Sequence, residues 1–314
     1  MKESNLGIFA GTSNPALAKG IASFLGAALG KIEIKRFSDG EQYVRFLENI
    51  RGADLFLLQG TSNPVSENLM ELLIMIDAAK RASAARITAV MPYFGYARQD
   101  RKSASREPIT AKLVADLLSK AGADRVITMD LHSGQIQGFF NMPVDNLTAT
   151  PKLIEYVKEK GFSNLLVVAP DAGSAKNSTK VAKMLGVDLA IINKARPKQG
   201  VAEALNVIGE VAGKNCVIFD DMIDTAGTIC AAADALKKEG CKKVLVCAAH
   251  GLFSGQAIEK IEKSGIDEVI VTDSIAGNGG KSAKIKVLGI AGLLGEAIKR
   301  IHSNESVSSL FDGF

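Results

Sequence analysis

The chain has no tryptophan, and aromatic residues make up only 5% of its 314 positions. A surface that holds single strands by stacking their bases needs a ladder of rings, so that mode of nucleic-acid recognition is excluded. Excess charge of one sign is scarce as well. A formal net charge of +4 allows a local anion site but falls short of the concentrated basic face of a nucleic-acid binder. There are four cysteines, Cys216, Cys230, Cys241 and Cys247, and they form no C-x-x-C pair. They read as small buried hydrophobes in a reducing compartment, not as zinc ligands or disulfides. No apolar run approaches the ~20 residues that cross a bilayer. The apolar stretch in MKESNLGIFAG is too short for a signal peptide. These absences predict a cytoplasmic protein with neither membrane nor nucleic acid as partner.

What is present points to a folded, two-domain chain. Apolar residues reach 47%, enough for a large core, and the length favours two domains over one. Charged residues are 23% and interspersed in sign, which argues against long disorder. Short apolar runs alternate with amphipathic stretches. Strands are predicted at 6–11, 32–37, 55–59, 87–92 and 126–130, then at 165–170, 189–193, 217–221, 244–248, 269–272 and 285–288. Helices are predicted at 68–83, 109–120, 151–160 and 227–239. Near-continuous apolar strands such as LLVVAP and KVLVCAA suit parallel sheets covered on both faces. The pattern predicts an α/β chain of two similar doubly wound domains with mainly parallel sheets. The seam is placed near NLTATP (146–151), giving domains 1–147 and 148–314, with the last ~15 residues packing back on the first.

In such sheets ligands bind beyond the carboxyl ends of the strands. One of these loops carries an ordered set of polar groups: CVIFDDMIDTAGT, Cys216–Thr228. A strand ends in Asp220 and Asp221, and a Thr-Ala-Gly-Thr turn leads into a helix. Helix N-termini present unpaired N–H groups and a positive dipole end, so they attract phosphate. Gly227 permits close approach, and Thr225 and Thr228 add hydroxyl donors. Adjacent carboxylates are poor partners for phosphate and good partners for vicinal hydroxyls or a metal. The layout fits a sugar phosphate. A bland reading of Asp220, Asp221 and Asp224 as caps and solvated turn residues is outweighed by the order of strand, carboxylates, glycine turn and helix.

This loop resembles the phosphoribosyl-diphosphate motif shared by type I phosphoribosyltransferases and the ribose-phosphate pyrophosphokinase family. Further segments resemble the pyrophosphokinases, class I in type: RFSDGE (36–41), MELLIMIDAAKRASA (70–84), PYFGYARQDRK (92–102), SREPITAKL (105–113), DLHSGQIQGFF (130–140) and SVSSLF (306–311). The resemblance runs from about Gly7 to Phe311 and implies a phosphoribosyltransferase-like fold in both halves.

It also implies an activity, transfer of the terminal diphosphate of MgATP to the C1 hydroxyl of ribose 5-phosphate. By resemblance, Asp220 and Asp221 hold the ribose hydroxyls, while Asp224, Thr225, Ala226, Gly227 and Thr228 surround the 5-phosphate. Phe37, Asp39, Glu41, Arg98, Gln99 and His132 belong to the ATP site. Asp171, Ala172 and Gly173 form a pyrophosphate loop, and His132 and Asp171 match magnesium ligands. Lys194 and Arg196 match a mobile catalytic loop whose cations stabilise charge moving onto the leaving AMP. Ser105, Arg106, Ser306, Ser308 and Phe311 match a regulatory region, implying a phosphate activator and an ADP inhibitor. The family also implies a homo-oligomer, often a hexamer.

Read without the family, RFSDGE is a strand-exit turn, ARQDRK a solvated basic loop and His132 a loop-capping imidazole. Two departures from the family pattern stand out. In PDAGSAKNST (170–179), Ser174 replaces a glycine and Asn177 an arginine, and Ala104 replaces a basic residue near the regulatory segment. Three rival readings remain. IAGNGGKS (275–282) ends like a P-loop, but Ile275 stands where that motif needs glycine, and a strand is predicted after it instead of a helix; a hairpin-like connection is expected there. A phosphoribosyltransferase would consume the product that a pyrophosphokinase makes. A catalytically weak regulatory subunit associated with such enzymes would keep the fold and lose the chemistry.

Overall fold

The computed structural model describes residues 5–195, 204–278 and 280–310, leaving aside the side chains at 194, 195 and 204. Contacts divide the chain into two units. The first holds residues up to Thr148, together with Ser274–Ala276 and the segment from Gly289; the second holds Ala149–Asp273 and Gly277–Leu288.

Unit 1 is built on strands β1 (Leu6–Ala10), β4 (Asp54–Leu58), β5 (Arg86–Met91), β6 (Arg125–Met129) and β7 (Val144–Leu147). They lie in the order β1-β4-β5-β6-β7, all parallel. Every residue of β4, DLFLL, is buried, as expected of a strand covered on both faces. Between β1 and β4 come helix α1 (Pro15–Phe24) and a separate antiparallel hairpin, β2 (Ile32–Arg36) with β3 (Gln42–Phe46). The sequence predicts β2 but not its partner. Helices α2 (Val65–Arg81) and α3 (Thr110–Ala121) follow β4 and β5. One core cluster gathers Phe9, Leu55, Leu57, Leu72, Met75, Ile76, Met91 and Leu118.

Helix α8 (Ala291–His302) comes after every strand of unit 2 and packs on α1. Small residues permit this contact. A Cβ on Gly295 would stand 2.4 Å from Phe24 Cδ1, and one on Gly20 would stand 3.0 Å from Ala291 Cβ. The end of α8 is pinned by a buried carboxylate. Asp54, 1% exposed, accepts from Arg86 Nε at 2.7 Å and Nη2 at 2.5 Å, and His302 Nδ1 lies 2.7 Å from its Oδ2. Arg86 also donates to the carbonyl of Ile301 at 2.9 Å.

Unit 2 contains α4 (Thr150–Glu159), β8 (Leu165–Ala169), α5 (Ala175–Leu185), β9 (Leu189–Ala195), β10 (Ala204–Ile208), β11 (Asn215–Ile223), α6 (Gly227–Lys238), β12 (Lys243–Gly251), α7 (Ala257–Lys263), β13 (Glu268–Thr272) and β14 (Ile285–Leu288). Its sheet runs β10-β9-β8-β11-β12-β13-β14, parallel except for β10 against β9. The chain leaves β8 towards one edge and then returns to place β11 on the other side of β8. That reversal creates a crevice between the carboxyl ends of β8 and β11, where open α/β sheets bind ligands. In unit 1 the strand order runs one way from β1 to β7.

The segment 275–282 corrects one expectation. Strands β13 and β14 are parallel, so the connection is a crossover and not a hairpin. The strand Ile285–Leu288 follows it where a P-loop needs a helix.

Candidate active site

The two loops at the strand reversal carry most of the predicted sugar-phosphate residues. β11 extends to Ile223, beyond the predicted end, so Asp220 and Asp221 lie within the strand beside β12. The N–H of Asp221 donates to Asp220 Oδ1 at 2.9 Å. Burial comes first in pushing the Asp220 carboxyl up to about 7, followed by the negative charge of Asp221 and, more weakly, that of Asp171. The structure therefore brings Asp171, Asp220 and Asp221 into one acidic group at the ends of neighbouring strands. Such a group repels phosphate and favours hydroxyl donors or a cation.

The part predicted to face phosphate begins immediately after. Ala226 sits at φ 61°, ψ 3°, a left-handed conformation that costs an L-residue on the order of 1–2 kcal/mol. It occupies the N-cap position of α6, and no side chain caps that helix. The first N–H groups of α6 are thus left for a ligand. Gly227 lies in the first turn, where an added Cβ would meet nothing within 4 Å. Protein packing does not call for glycine there, whereas close approach of an anion does. Thr225, Gly227 and Thr228 are exposed and Ala226 is buried.

The second loop, Asp171–Ser174, leads into α5. The Ser174 N–H donates to Asp171 Oδ1 at 2.9 Å, and its hydroxyl donates to the Asp171 carbonyl at 2.9 Å. The side chain of Ser174, a departure from the family pattern, staples the main chain of this loop through the Asp171 carbonyl. Sequence reasoning missed this role.

In unit 1 the predicted ATP residues occupy two places. Phe37, Asp39 and Glu41 lie in the turn of the β2–β3 hairpin, where Glu41 N–H donates to Asp39 Oδ1 at 3.0 Å and Phe37 N–H to the Glu41 carbonyl at 2.8 Å. Asp39 therefore has the turn role as well. The Phe37 ring is 49% exposed and meets Tyr43 edge-on at 5.8 Å, leaving a face for a flat ligand. Arg98 and Gln99 are exposed in the loop after β5. That loop is set by Gly95, whose N–H donates to Thr61 Oγ1 at 2.6 Å and whose added Cβ would stand 2.4 Å from the Thr61 carbonyl. Gln99 Oε1 accepts from Thr110 Oγ1 at 2.5 Å, and the adjacent Asp100 accepts from Gln135 at 3.3 Å. These contacts tie the Arg98 loop to the one that carries the exposed His132.

The described residues hold no cluster of three or more His, Cys, Asp or Glu side chains able to cage a metal. His132 and Asp171 belong to different units. The backbone of Lys194 lies one residue before the end of β9, paired with Leu205 of β10. Its side chain, Arg196 and Phe311 lie outside the described residues. The other regulatory candidates form two separate turns in unit 1. Glu107 accepts from the N–H groups of Ser103 and Ala104 at 2.7 and 2.8 Å, while Arg300 holds the Ser306 carbonyl at 3.1 Å. Arg106 is left-handed at φ 68°, and no hydrogen bond joins these two turns among the described residues.

Comparison with known proteins gives the relationship. Residues 6–122 match the family model described as the N-terminal domain of ribose phosphate pyrophosphokinase. Residues 194–312 match a phosphoribosyl synthetase-associated domain. A ribose-phosphate pyrophosphokinase of Chromobacterium violaceum is 54% identical over 311 residues, covering 98% of this chain and 95% of its own. The chain belongs to the ribose-phosphate pyrophosphokinase family. Another member, from Chlorobaculum tepidum, is 55% identical over 311 residues, covering 99% of this chain and 96% of its own. The crystal structure of phosphoribosylpyrophosphate synthetase from Mycobacterium smegmatis superposes with a TM-score of 0.91 at 45% identity, covering 96% of this chain and 100% of that one. The α/β architecture is thus shared with the family along nearly the whole chain.

Proposed function

We propose that the protein is a ribose-phosphate diphosphokinase, converting ATP and ribose 5-phosphate into phosphoribosyl diphosphate and AMP. What carries this reading is the family relationship along 98% of the chain together with the loop from Asp220 to Thr228, with carboxylates at one end and an uncapped helix start at the other. The C1 hydroxyl oxygen attacks the β-phosphorus of ATP, the bond from that phosphorus to the α–β bridging oxygen breaks, and the hydroxyl proton passes to solvent. Asp220 and Asp221 accept hydrogen bonds from the ribose hydroxyls, and the N–H groups and hydroxyls of Thr225–Thr228 hold the 5-phosphate. Both ends of the acceptor are then fixed, which aims its C1 oxygen.

Arg98 and Gln99 hold the nucleotide, with Phe37 against the base. Lys194 and Arg196 stabilise the charge moving onto AMP. His132 and Asp171 are the proposed magnesium ligands. Magnesium, when bound, neutralises and orients the phosphate oxygens of ATP. A homo-oligomer, hexameric as in the family, is part of the same proposal. So are activation by phosphate and inhibition by ADP through Ser105, Arg106, Ser306, Ser308 and Phe311. No helix among the described residues is long and apolar enough to cross a membrane, and the four cysteines are free thiols, which suits the cytoplasm.

The test is AMP release from ATP by purified protein with magnesium, with and without ribose 5-phosphate, titrated with phosphate and ADP. AMP formation that depends on ribose 5-phosphate is expected. Its absence under all these conditions would favour a catalytically weak regulatory subunit. Product formation from a free base without ATP would favour a phosphoribosyltransferase.

A further inference from the structure

The sugar-phosphate loop is supported from behind by one segment, Leu252–Lys260. Three successive loop carbonyls are taken by donors from it. The Ile223 carbonyl accepts from the N–H groups of Leu252 at 2.9 Å and Phe253 at 3.1 Å, and the Asp224 carbonyl from the Ser254 N–H at 3.0 Å. The Thr225 carbonyl accepts from the Lys260 ammonium, on α7, at 3.4 Å. In a trans peptide the carbonyl and the next N–H point in opposite directions. Holding these carbonyls on the support aims the N–H groups of the same peptides the other way. The N–H groups of Thr225 and Ala226 have no hydrogen-bond partner among the described residues, so they extend the row of donors at the start of α6.

The third bond matters most because of Ala226. Its φ of 61° is unfavourable for alanine, and rotating the Thr225–Ala226 peptide by half a turn would bring φ to a negative value. That rotation would also point the Thr225 carbonyl towards the phosphate and withdraw the Ala226 N–H. The first two carbonyls are secured by main-chain donors, whereas the third is secured by a side chain. Both Lys260 and Thr225 are exposed, so packing does not lock this peptide.

We infer that Lys260 is a positioning residue for phosphate recognition, holding the Thr225–Ala226 peptide in its strained, donor-outward orientation. Resting on the assignment of this loop to ribose 5-phosphate, the inference adds a residue that acts on the ligand through the Thr225 carbonyl. A cation suits the role because a charged donor grips a carbonyl more strongly than a neutral one.

The test compares wild type, Lys260→Met, Lys260→Arg and Ala226→Gly with the double variant Lys260→Met/Ala226→Gly. Ribose 5-phosphate affinity is measured by calorimetry, steady-state kinetics give KM and kcat, and thermal midpoints check folding. Lys260→Met is expected to weaken ribose 5-phosphate about five- to ten-fold, the scale of one exposed charge-assisted hydrogen bond. The KM for ATP and kcat should change far less, and Lys260→Arg should restore most of the loss. In the Ala226→Gly background the positive φ is no longer strained, so the same lysine substitution should cost less than about two-fold, a measurable coupling. An equal loss in both backgrounds would overturn the inference in favour of direct contact between Lys260 and the phosphate. Unchanged affinity in Lys260→Met, with wild type binding normally, would overturn it outright. Failure of folded wild type to bind ribose 5-phosphate would instead remove the assignment of the loop, and the inference with it.

Discussion

Asp220 gives the sharpest test of the physical account, because it should trade stability against function. Its carboxyl is ordinary in the unfolded chain, near 3.8, and rises to about 7 in the folded protein. The folded state therefore holds this proton more tightly than the unfolded state does. The stability this contributes is complete below pH 3.8 and is lost as pH rises to about 7. Each pH unit in that window is worth about 1.4 kcal/mol, so the upper limit is about 4 kcal/mol. Contact with water at the strand end trims it to roughly 2–4 kcal/mol. Above pH 7 the ligand-free protein thus keeps a partly buried, repelled carboxylate, which ribose hydroxyls or a cation would relieve.

Asp220→Asn removes this cost while keeping the shape and the acceptor for the Asp221 N–H. Without substrates and with a chelator present, the variant should be the more stable protein, and its advantage should grow with pH. At 2–4 °C per kcal/mol for a unit of this size, the thermal midpoints should separate by roughly 5–10 °C at pH 8. By pH 4 they should nearly coincide. Turnover with ribose 5-phosphate should fall in the same variant, since the neutral amide is a weaker acceptor for the ribose hydroxyls. Differential scanning fluorimetry from pH 4 to 8 measures the separation. A gap independent of pH, or a wild type more stable than the variant at pH 8, would refute the reasoning.

Three other outcomes follow from the same geometry. Gly227→Ala meets no protein atom, so the thermal midpoint should hold or rise, by up to about 1 kcal/mol in stability, while KM for ribose 5-phosphate increases on the order of 10–100-fold. Asp54→Ala leaves Arg86 without its buried partner and should cost about 3–5 kcal/mol in chemical denaturation; a loss below 1 kcal/mol would show that the cluster does not anchor α8. Hydrogen bonding to Cys216 lowers the Cys241 thiol, whereas burial raises Cys230 and Cys247. Brief alkylation at pH 7.5 should therefore mark Cys241 first by mass spectrometry.

Most of the parallel strands were legible because they carry short, mainly apolar runs, a pattern with few other folded outcomes. The strands that were not legible, β3, β7 and β10, lie at a hairpin or a sheet edge. QYVRF and VDNL mix polar with apolar residues, and most of their residues are only partly buried. Their partners also supply much of the reason they are strands. Two copies of Gly-Thr-Ser-Asn-Pro, at 11–15 and 60–64, follow the neighbouring strands β1 and β4. They interlock, since Gly60 N–H donates to Ser13 Oγ at 2.9 Å, but as a five-residue match in a longer chain the repeat gives no such hint. The Asp54–His302 contact spans 248 positions, and no local pattern anticipates it. The same holds for Lys260, 35 residues beyond the carbonyl it holds.

The change at Ser174 shows why a motif letter and its physical demand must be separated. At sequence level, serine for glycine in a phosphate-type loop suggests a lost backbone freedom. Yet Ser174 sits at φ −83°, ψ −8°, ordinary right-handed geometry that needs no glycine. Its N–H bonds to the Asp171 carboxylate and its hydroxyl to the Asp171 carbonyl, so the side chain ties down the loop's main chain while the N–H, which a glycine would also supply, directs the carboxylate. Gly173 is the position with a spatial demand, because a Cβ there would stand 3.2 Å from Asp171 Oδ1. A side chain at 173 would press on the carboxylate that Ser174 orients. Asp171 in turn adds to the field that raises Asp220. Gly173 is therefore the position where a side chain would crowd the acidic group, whereas the backbone at Ser174 makes no demand for glycine.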